Sequence, residues 1–276
     1  RSTIIVDLNA QPTEAAPMQE TKLTMFEALA CGLADNGVTT LFGLIGDANL
    51  FLVDTYRQQA GTQFVPAVHE GGAVLMAHGY AQVTGTVGVA TVTHGPAVTN
   101  CITALTDAVR ARVGMVLMAG DTAGSQPQHL QNIDQREAAR LCGAGFEALR
   151  SPATANEDLA RALYRARTER RPILFNMPAD FMWEDAAYAR VIHPAFETPA
   201  YAPEGDDVDE AVGMIASARR PLILAGKGAI GAKDALIRLA DRLEAPLATT
   251  LKAKGLFQGH PFGMSDVSAY RTSLGV

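Results

Sequence analysis

Residues 63–100 decide the fold, and they read QFVPAVHEGGAVLMAHGYAQVTGTVGVATVTHGPAVTN. Two short apolar runs, 64–68 and 87–92, are separated by a segment of small residues, 72–83, that is long enough for a helix. Short strands that alternate with helical segments of roughly 10 to 15 residues are typical of parallel sheets. This stretch therefore predicts a strand, a helix and a second strand that belong to one parallel sheet.

The same alternation continues on both sides of that stretch. Thr24 and Glu27 have the spacing of a capping box at the start of a helix, and Asp47 can cap another helix. Together the segments predict an α/β fold, an open parallel sheet with helices on both faces. The other predicted strands are 38–44, 114–119 and 172–177, and the other predicted helices begin near residues 24, 47, 99 and 157.

The chain is predicted to contain two domains. Residues 1–20 are interpreted as a flexible leader, and residues 21–190 as the first domain. Residues 191–206 are predicted to be a linker, because they contain three prolines and few large apolar side chains. Residues 207–276 resume the alternation as an incomplete, Rossmann-like second domain. Its predicted helices are 208–218 and 232–243, and its predicted strands are 221–225 and 246–250.

The overall composition excludes several classes of protein. The formal net charge of -6 argues against nucleic acid or an acidic membrane as a partner, since both attract basic surfaces. No apolar run approaches the roughly 20 residues that a membrane-spanning helix needs. The three cysteines, Cys31, Cys101 and Cys142, are far apart, which is typical of a reducing compartment without disulfides. We therefore expect a cytoplasmic protein.

Glycines and ionisable residues follow the predicted strands directly. In open parallel sheets, ligands bind at the carboxyl ends of the strands, where the turns lead into helices. One edge of the first domain is therefore predicted to form a site, although this arrangement alone names no reaction. The residues are Gly43, Gly46 and Asp47 after the first strand, His69 and Glu70 after the second, His94, Gly95 and Pro96 after the third, and Gly120 and Asp121 after the fourth.

Six motifs occur in order along the chain and together resemble one family. They resemble the pyrimidine-binding domain of thiamine-diphosphate-dependent enzymes, in the acetolactate synthase and pyruvate decarboxylase superfamily, followed by the start of its middle domain. The resemblance covers nearly all of residues 21–276. The motifs are FGLIGD at 42–47, HEGGA at 69–73, THGPAVTN at 93–100, QNID at 131–134, PILFNMP at 172–178 and PLILAGKG at 221–228.

The resemblance implies that thiamine diphosphate is the cofactor and that Glu70 is catalytic. In the family, a glutamate at this position contacts the aminopyrimidine ring and promotes removal of a proton from the thiazolium ring. A carboxyl group suits this task if burial raises its pKa, because it can then share a proton with a ring nitrogen. The alternative is a helix-terminal acid that only interacts with the helix dipole.

The resemblance also implies roles for further residues at the same edge. Asp47 matches an aspartate that takes part in proton transfer in decarboxylases of the superfamily, and Gln131 matches a glutamine near the substrate. His94 departs from the family, which usually has a small residue there, so proton transfer and simple packing both remain open. His69 and His129 are interpreted as structural. The cofactor-contacting residues implied are Glu70, Gly46, His94, Gly95, Pro96 and Asn100, of which Gly95, Pro96 and Asn100 shape the backbone.

A glycine motif, GKGAIG at 226–231, follows a predicted strand of the second domain. A dinucleotide site would also need an acidic residue about 20 positions later, and residues 246–250 contain none. The resemblance implies FAD, ADP or no nucleotide in this domain, and the sequence disfavours NAD.

The family holds diphosphate and Mg²⁺ in a third domain that carries a Gly-Asp-Gly motif. This sequence has no such motif, so we expect no metal ligands here, and we expect the isolated chain to be inactive. The resemblance also implies a homodimer or homotetramer with the active site between subunits. The leading function is an acetolactate-synthase-like carboligase acting on a 2-keto acid. The alternatives are a 2-keto acid decarboxylase, another thiamine-diphosphate lyase, a dehydrogenase, and a non-catalytic nucleotide-binding or regulatory protein.

Overall fold

A computed structural model describes residues 21–193 and 203–264 of the chain. The chain divides into two compact units, Arg1–Glu197 and Thr198–Val276. The predicted leader and most of the predicted linker lie outside the described residues. Within the part that is described, no helix is both long and apolar enough to cross a membrane.

The first unit contains a six-stranded, wholly parallel sheet in the order β3-β2-β4-β5-β7-β6. The prediction of an α/β fold with an open parallel sheet is confirmed. The strands of the unit are β1 (Thr21–Thr24), β2 (Thr40–Gly43), β3 (Gln63–Pro66), β4 (Gly88–Val92), β5 (Met115–Asp121), β6 (Gly145–Ala148), β7 (Pro172–Pro178) and β8 (Asp185–Tyr188). The helices are α1 (Met25–Asp35), α2 (Leu50–Gln58), α3 (Glu70–Thr84), α4 (Pro96–Thr99), α5 (Ile102–Arg110), α6 (Gln135–Cys142) and α7 (Ala155–Glu169).

Both faces of the sheet are covered by helices, as predicted. Because successive side chains of a strand point to opposite faces, Leu41 of β2 belongs to a core that includes residues of α1, α2 and α7, whereas its neighbour Phe42 belongs to a second core that includes residues of α3, α5 and α6. Every residue of the central strand β4 is buried, as expected for a parallel strand with helices on both sides. The sheet is therefore held between two hydrophobic cores, one on each face.

Several local predictions need correction. Asp47 does not cap α2, because that helix begins three residues later with Asn49 at its N-cap position. The helix predicted from residue 99 begins at Ile102 as α5, and a separate short helix, α4, lies where a turn was predicted. Sequence analysis missed α6 and β6, and it also missed a small antiparallel sheet in which β1 pairs with β8.

The capping-box prediction at the first helix is confirmed. The carboxylate of Glu27 accepts hydrogen bonds from the backbone N–H of Thr24 at 2.8 Å and from its hydroxyl at 2.6 Å. These bonds from Thr24 lower the pKa of Glu27. The start of α1 is thereby fixed next to the β1–β8 sheet.

The second unit has a parallel pair of strands, as predicted for a Rossmann-like domain. Its small core comprises Ala225, Ala240, Leu247 and Phe257. The first helix begins within the segment that was predicted to be linker. The elements are α8 (Gly205–Ser217), β9 (Ile223–Ala225), a 3₁₀ segment at Lys227–Ala232, α9 (Lys233–Leu243) and β10 (Leu247–Thr249).

A buried carboxylate ties α7 to the chain before it. The side chain of Asp158 is fully buried and accepts hydrogen bonds from the backbone N–H of Arg150 at 2.9 Å, the Nε of Arg150 at 2.7 Å and the hydroxyl of Thr154 at 2.8 Å. The guanidinium of Arg161 also donates to it. Burial raises the pKa of Asp158, but these hydrogen bonds outweigh burial and leave the pKa lowered.

We predict that Asp158→Asn destabilises the first unit by about 1–3 kcal/mol, because an amide in this buried position cannot accept all the hydrogen bonds that the carboxylate accepts from Arg150, Thr154 and Arg161. Urea unfolding followed by the fluorescence of Trp183, the single tryptophan, measures this unit. The neighbouring Glu157→Gln is the control, since Glu157 is exposed and 3.8 Å from Arg150, and it should cost under about 1 kcal/mol.

The loss of stability in Asp158→Asn is predicted to depend on pH. Since the folded pKa of Asp158 is lowered, its stabilisation is complete above the unfolded pKa of about 3.9 and is lost as the pH falls through the folded pKa. The stability difference between wild type and Asp158→Asn should therefore shrink below about pH 4. A difference that stays constant down to pH 2 would contradict this assignment.

Candidate active site

The chain leaves strands β2 and β4 in opposite directions at the carboxyl edge of the sheet. From β2 it passes through α2 to β3 on one side, and from β4 it passes through α4 and α5 to β5 on the other. Helix α2 packs on one face of the sheet and α5 on the other. A crevice therefore opens between the loops that follow β2 and β4, the usual ligand position in such sheets.

A buried amide holds the loop after β2 in place. Asn49 is fully buried, and its Oδ1 accepts a hydrogen bond from the N–H of Gly46 at 2.7 Å. Its Nδ2 donates to the carbonyl of Leu44 at 3.1 Å and to the hydroxyl of Thr91 on β4 at 3.2 Å. Sequence analysis missed this role of Asn49. The loop that carries Asp47 is therefore tied to β4.

Asp47, Thr93 and His94 form one hydrogen-bonded cluster in the crevice. The hydroxyl of Thr93 donates to Oδ1 of Asp47 at 2.6 Å, and the same hydroxyl oxygen lies 3.0 Å from Nδ1 of His94. The hydrogen bond from Thr93 lowers the pKa of Asp47, whose side chain is 71% exposed. The carboxylate is therefore held ionised and faces solvent.

The imidazole of His94 is buried beside that carboxylate. Its side chain is only 6% exposed, and Nδ1 lies 3.6 Å from Oδ1 of Asp47. The ring of His129 lies against it, with 5.5 Å between centroids. His94 is thus a packed residue that also contacts an ionisable partner, so its two interpretations from the sequence are not exclusive.

Two glycines allow the loops of the site to approach closely. A Cβ at Gly46 would lie 2.6 Å from the Cβ of Thr93. Gly95 has φ 61°, a conformation that other residues rarely adopt, and a Cβ there would lie 2.1 Å from the carbonyl oxygen of Gln131. The structure therefore brings the main chain of Gln131 against the turn that follows β4.

Glu70 lies at the start of α3, directly after its N-cap His69. The Nδ1 of His69 accepts a hydrogen bond from the N–H of Gly71 at 3.0 Å, which supports the structural interpretation of that histidine. The half-buried Glu70 accepts a hydrogen bond from Nδ2 of Asn100 at 3.0 Å. Asn100 was expected to act through its backbone, and its side chain in fact contacts the candidate catalytic carboxylate.

A second network of buried amides supports the end of β5. Asn176 donates to Oδ2 of Asp121 at 2.8 Å, and Gln135 donates to the carbonyl of Gly120 at 2.6 Å. Gln135 and Asn176 are both buried. Sequence analysis missed both amides, since polar residues in a helix and a strand are ordinarily placed at the surface.

The structure thus places the site residues in two groups at one edge. Asp47, His94, Gly95 and Gln131 surround the crevice between the loops after β2 and β4, and Glu70 pairs with Asn100 at the start of α3. Pro96 is the first residue of α4. Across residues 21–193 and 203–264, no three His, Cys, Asp or Glu side chains are positioned to hold a metal ion.

An open parallel α/β domain with a carboxylate-rich carboxyl edge is an architecture that many enzymes share. Comparison with known families gives the specific assignment. Residues 23–138 match the N-terminal TPP binding domain of thiamine pyrophosphate enzymes, and residues 208–273 match their central domain. The chain belongs to the thiamine-pyrophosphate-dependent enzyme superfamily.

Curated relatives carry several activities. The chain is 35% identical over 253 residues to a probable 2-ketoarginine decarboxylase of Pseudomonas aeruginosa, covering 88% of the chain and 45% of the relative. It is 30% identical over 249 residues to a sulfoacetaldehyde acetyltransferase of Rhodobacter capsulatus, covering 87% and 41% respectively. It is 31% identical over 249 residues to an acetolactate synthase of Mycobacterium bovis, covering 86% and 39%. The chain spans less than half the length of these relatives.

We predict that Gly95→Ala destabilises the first unit more than Gly85→Ala does. Both glycines have positive φ, 61° and 73°, so both substitutions strain the backbone, at a cost of about 1 kcal/mol. Only the Gly95 variant also forces the carbonyl of Gln131 to move, because nothing lies within 4 Å of a Cβ at Gly85. Urea midpoints read from Trp183 fluorescence measure the difference, and equal midpoints would refute the close contact.

Proposed function

We propose that this chain supplies the pyrimidine-binding and central domains of a thiamine-diphosphate-dependent enzyme that acts on a 2-keto acid. The single observation that carries the proposal is the Glu70 carboxylate, oriented by Asn100 at the carboxyl edge of the sheet inside the region that matches the N-terminal domain of the family. When bound, the cofactor would supply a carbon nucleophile that adds to the keto group and stores the electrons of C–C cleavage.

The residues around Glu70 fit an aminopyrimidine ring. Asn100 donates to Oε2 of Glu70, and the remaining acceptor positions of the carboxylate can bind a ring nitrogen or share its proton. Glu70 would therefore hold the proton of the ring nitrogen, and Asn100 would orient the carboxylate.

Asp47, His94 and Gln131 are proposed to act on the substrate. Asp47 combines solvent exposure with a lowered pKa, so near neutral pH it is an anion that can stabilise a neighbouring cation. His94 lies next to it, and its imidazole can accept or donate a proton. Gly46, Gly95 and Pro96 are proposed to shape the backbone against which the cofactor binds.

Carboligation of the acetolactate synthase type remains the leading reaction, and 2-keto acid decarboxylation is the alternative. Asp47 beside His94 favours the alternative, because release of an aldehyde requires a proton to be delivered to carbon, whereas ligation requires a second carbonyl compound. The ionised Asp47 can stabilise a protonated His94 that delivers this proton. The relatives named as synthase, acetyltransferase and decarboxylase support both. The presence of Glu70 argues against a non-catalytic nucleotide-binding or regulatory protein, since that function has no need of a carboxyl group there.

We further propose that Mg²⁺ and the diphosphate are held by a region outside this chain and that the functional unit is a homodimer or homotetramer. FAD or ADP at the Gly226 motif of the second unit stays a subsidiary proposal. The carboxyl edge of the sheet exposes several large apolar side chains, which supports its being covered in the working enzyme. They are Ile45, Leu50, Phe51, Leu130 and Trp183.

We predict that Glu70→Gln, made in the full-length enzyme, slows exchange of the C2 proton of bound thiamine diphosphate by at least tenfold, a typical scale for general acid–base catalysis. Quenched-flow exchange into deuterium oxide followed by NMR measures the rate. The matched control is Glu137→Gln, since Glu137 is an exposed glutamate on α6 that pairs with Arg140. Equal exchange rates in both variants would remove Glu70 from the mechanism.

We predict that Asp47→Asn lowers aldehyde release from 2-keto acids at least tenfold and lowers carboligation less, because only aldehyde release needs a proton on carbon. The substitution removes the negative charge that stabilises a protonated His94 beside the substrate. Chromatography of products formed by the full-length enzyme from a panel of 2-keto acids measures both activities. Asp54→Asn, an exposed aspartate on α2, is the control. An equal loss of both activities would indicate that Asp47 only supports the loop.

A further inference from the structure

We propose that Thr93 is a positioning residue that fixes His94 as the Nδ1–H tautomer, so that Nε2 is the ring nitrogen available to accept a proton. The tautomer follows from the geometry of this chain alone. Its use in turnover rests on the proposed function, because only that function brings a substrate to the crevice.

The direction of each hydrogen bond around Thr93 follows from counting protons. A threonine hydroxyl has one proton to donate and two lone pairs to accept with. Its oxygen lies 2.6 Å from Oδ1 of Asp47, and an ionised carboxylate can only accept a hydrogen bond. The hydroxyl proton is therefore committed to Asp47.

The contact between Thr93 and His94 then has only one arrangement. With its proton directed at Asp47, the oxygen of Thr93 must accept at the 3.0 Å contact, so Nδ1 of His94 must carry the proton. The reverse arrangement would place the hydroxyl oxygen 2.6 Å from a carboxylate oxygen with no proton between them. A neutral His94 in this cluster therefore keeps its lone pair on Nε2.

The surrounding chain leaves little freedom for another arrangement. The Cα of Gly46 packs so closely on Thr93 that a Cβ there would lie 2.6 to 3.0 Å from three atoms of the threonine side chain. Asn49 bonds both the loop after β2 and Thr91, two residues before Thr93 on the same chain segment. The two loops that carry Asp47 and Thr93 are therefore held in fixed positions relative to each other.

The side chain of His94 contacts two ionisable residues, Asp47 and His129. Asp47 lies 3.6 Å from Nδ1, and His129 packs its ring against the imidazole. Within residues 21–193 and 203–264, the hydrogen bonds of the His94 side chain involve Nδ1 only, and none involves Nε2. Nε2 is thus the nitrogen left for a proton of a substrate, a pairing that resembles the oriented histidines of other acid–base sites.

The tautomer can be measured directly on this chain. With ¹⁵N-labelled histidine, NMR distinguishes a protonated from an unprotonated ring nitrogen, and His94→Gln assigns the His94 signals among the six histidines. In the neutral His94 ring we expect a protonated Nδ1 and an unprotonated Nε2. A spectrum with a protonated Nε2 and an unprotonated Nδ1 would overturn the proposal without touching the proposed function.

Variants at Thr93 test its role in both the tautomer and the rate. Thr93→Val keeps the shape of the side chain but removes the hydroxyl, and Thr93→Ser keeps the hydroxyl. We expect the valine variant to populate the Nε2–H tautomer and to lower kcat of the full-length enzyme at least tenfold, and the serine variant to restore both. Thr168→Val on α7, which removes a hydroxyl bonded to a backbone carbonyl, is the control and should change neither.

The outcomes separate the inference from the proposed function. A valine variant that keeps the Nδ1–H tautomer, whether or not its rate falls, would overturn the role of Thr93. A tautomer that responds as expected, in an enzyme that shows no thiamine-diphosphate chemistry with any 2-keto acid, would support the role of Thr93 and refute the proposed function instead.

Discussion

The site depends on the buried side chain of Asn49. Its amide bonds the backbone of the loop after β2 at Gly46 and Leu44 and also reaches Thr91 on the neighbouring strand. A buried amide that lost these partners would be left unsatisfied, at a cost of roughly 1–3 kcal/mol per group. The loop is therefore held where the order of the parallel strands reverses, and the position of Asp47 relative to Thr93 follows from it.

The parallel sheet could be predicted from the sequence because its signals are local. Short apolar runs, helix-length segments between them and glycines at the strand ends are all visible without long-range information, and they placed Glu70 at the carboxyl edge correctly. The small β1–β8 sheet was missed for the opposite reason. Its four-residue strands are separated by almost the whole first unit, and their pairing is decided by tertiary contacts.

The details of the candidate site could be predicted only in part. Asp47 and Asn49 are both favourable N-cap residues by type, and the sequence alone cannot choose between them. In the structure neither side chain caps the helix: Asp47 accepts a hydrogen bond from Thr93, 46 positions later, and Asn49 bonds the loop backbone and Thr91 instead. Gln135 and Asn176 were missed because their partners, Asp121 and the carbonyl of Gly120, become neighbours only when β5, β7 and α6 assemble.

The contact between Gly95 and Gln131 limits which amino acids can stand at each of the two positions. The group that presses on Gly95 is a main-chain carbonyl, which every amino acid possesses. The shape of the turn after β4 therefore depends little on the side chain at position 131, whereas any side chain at position 95 would clash with that carbonyl. A substitution at position 131 would therefore change the side chain presented at this edge while leaving the turn after β4 in place.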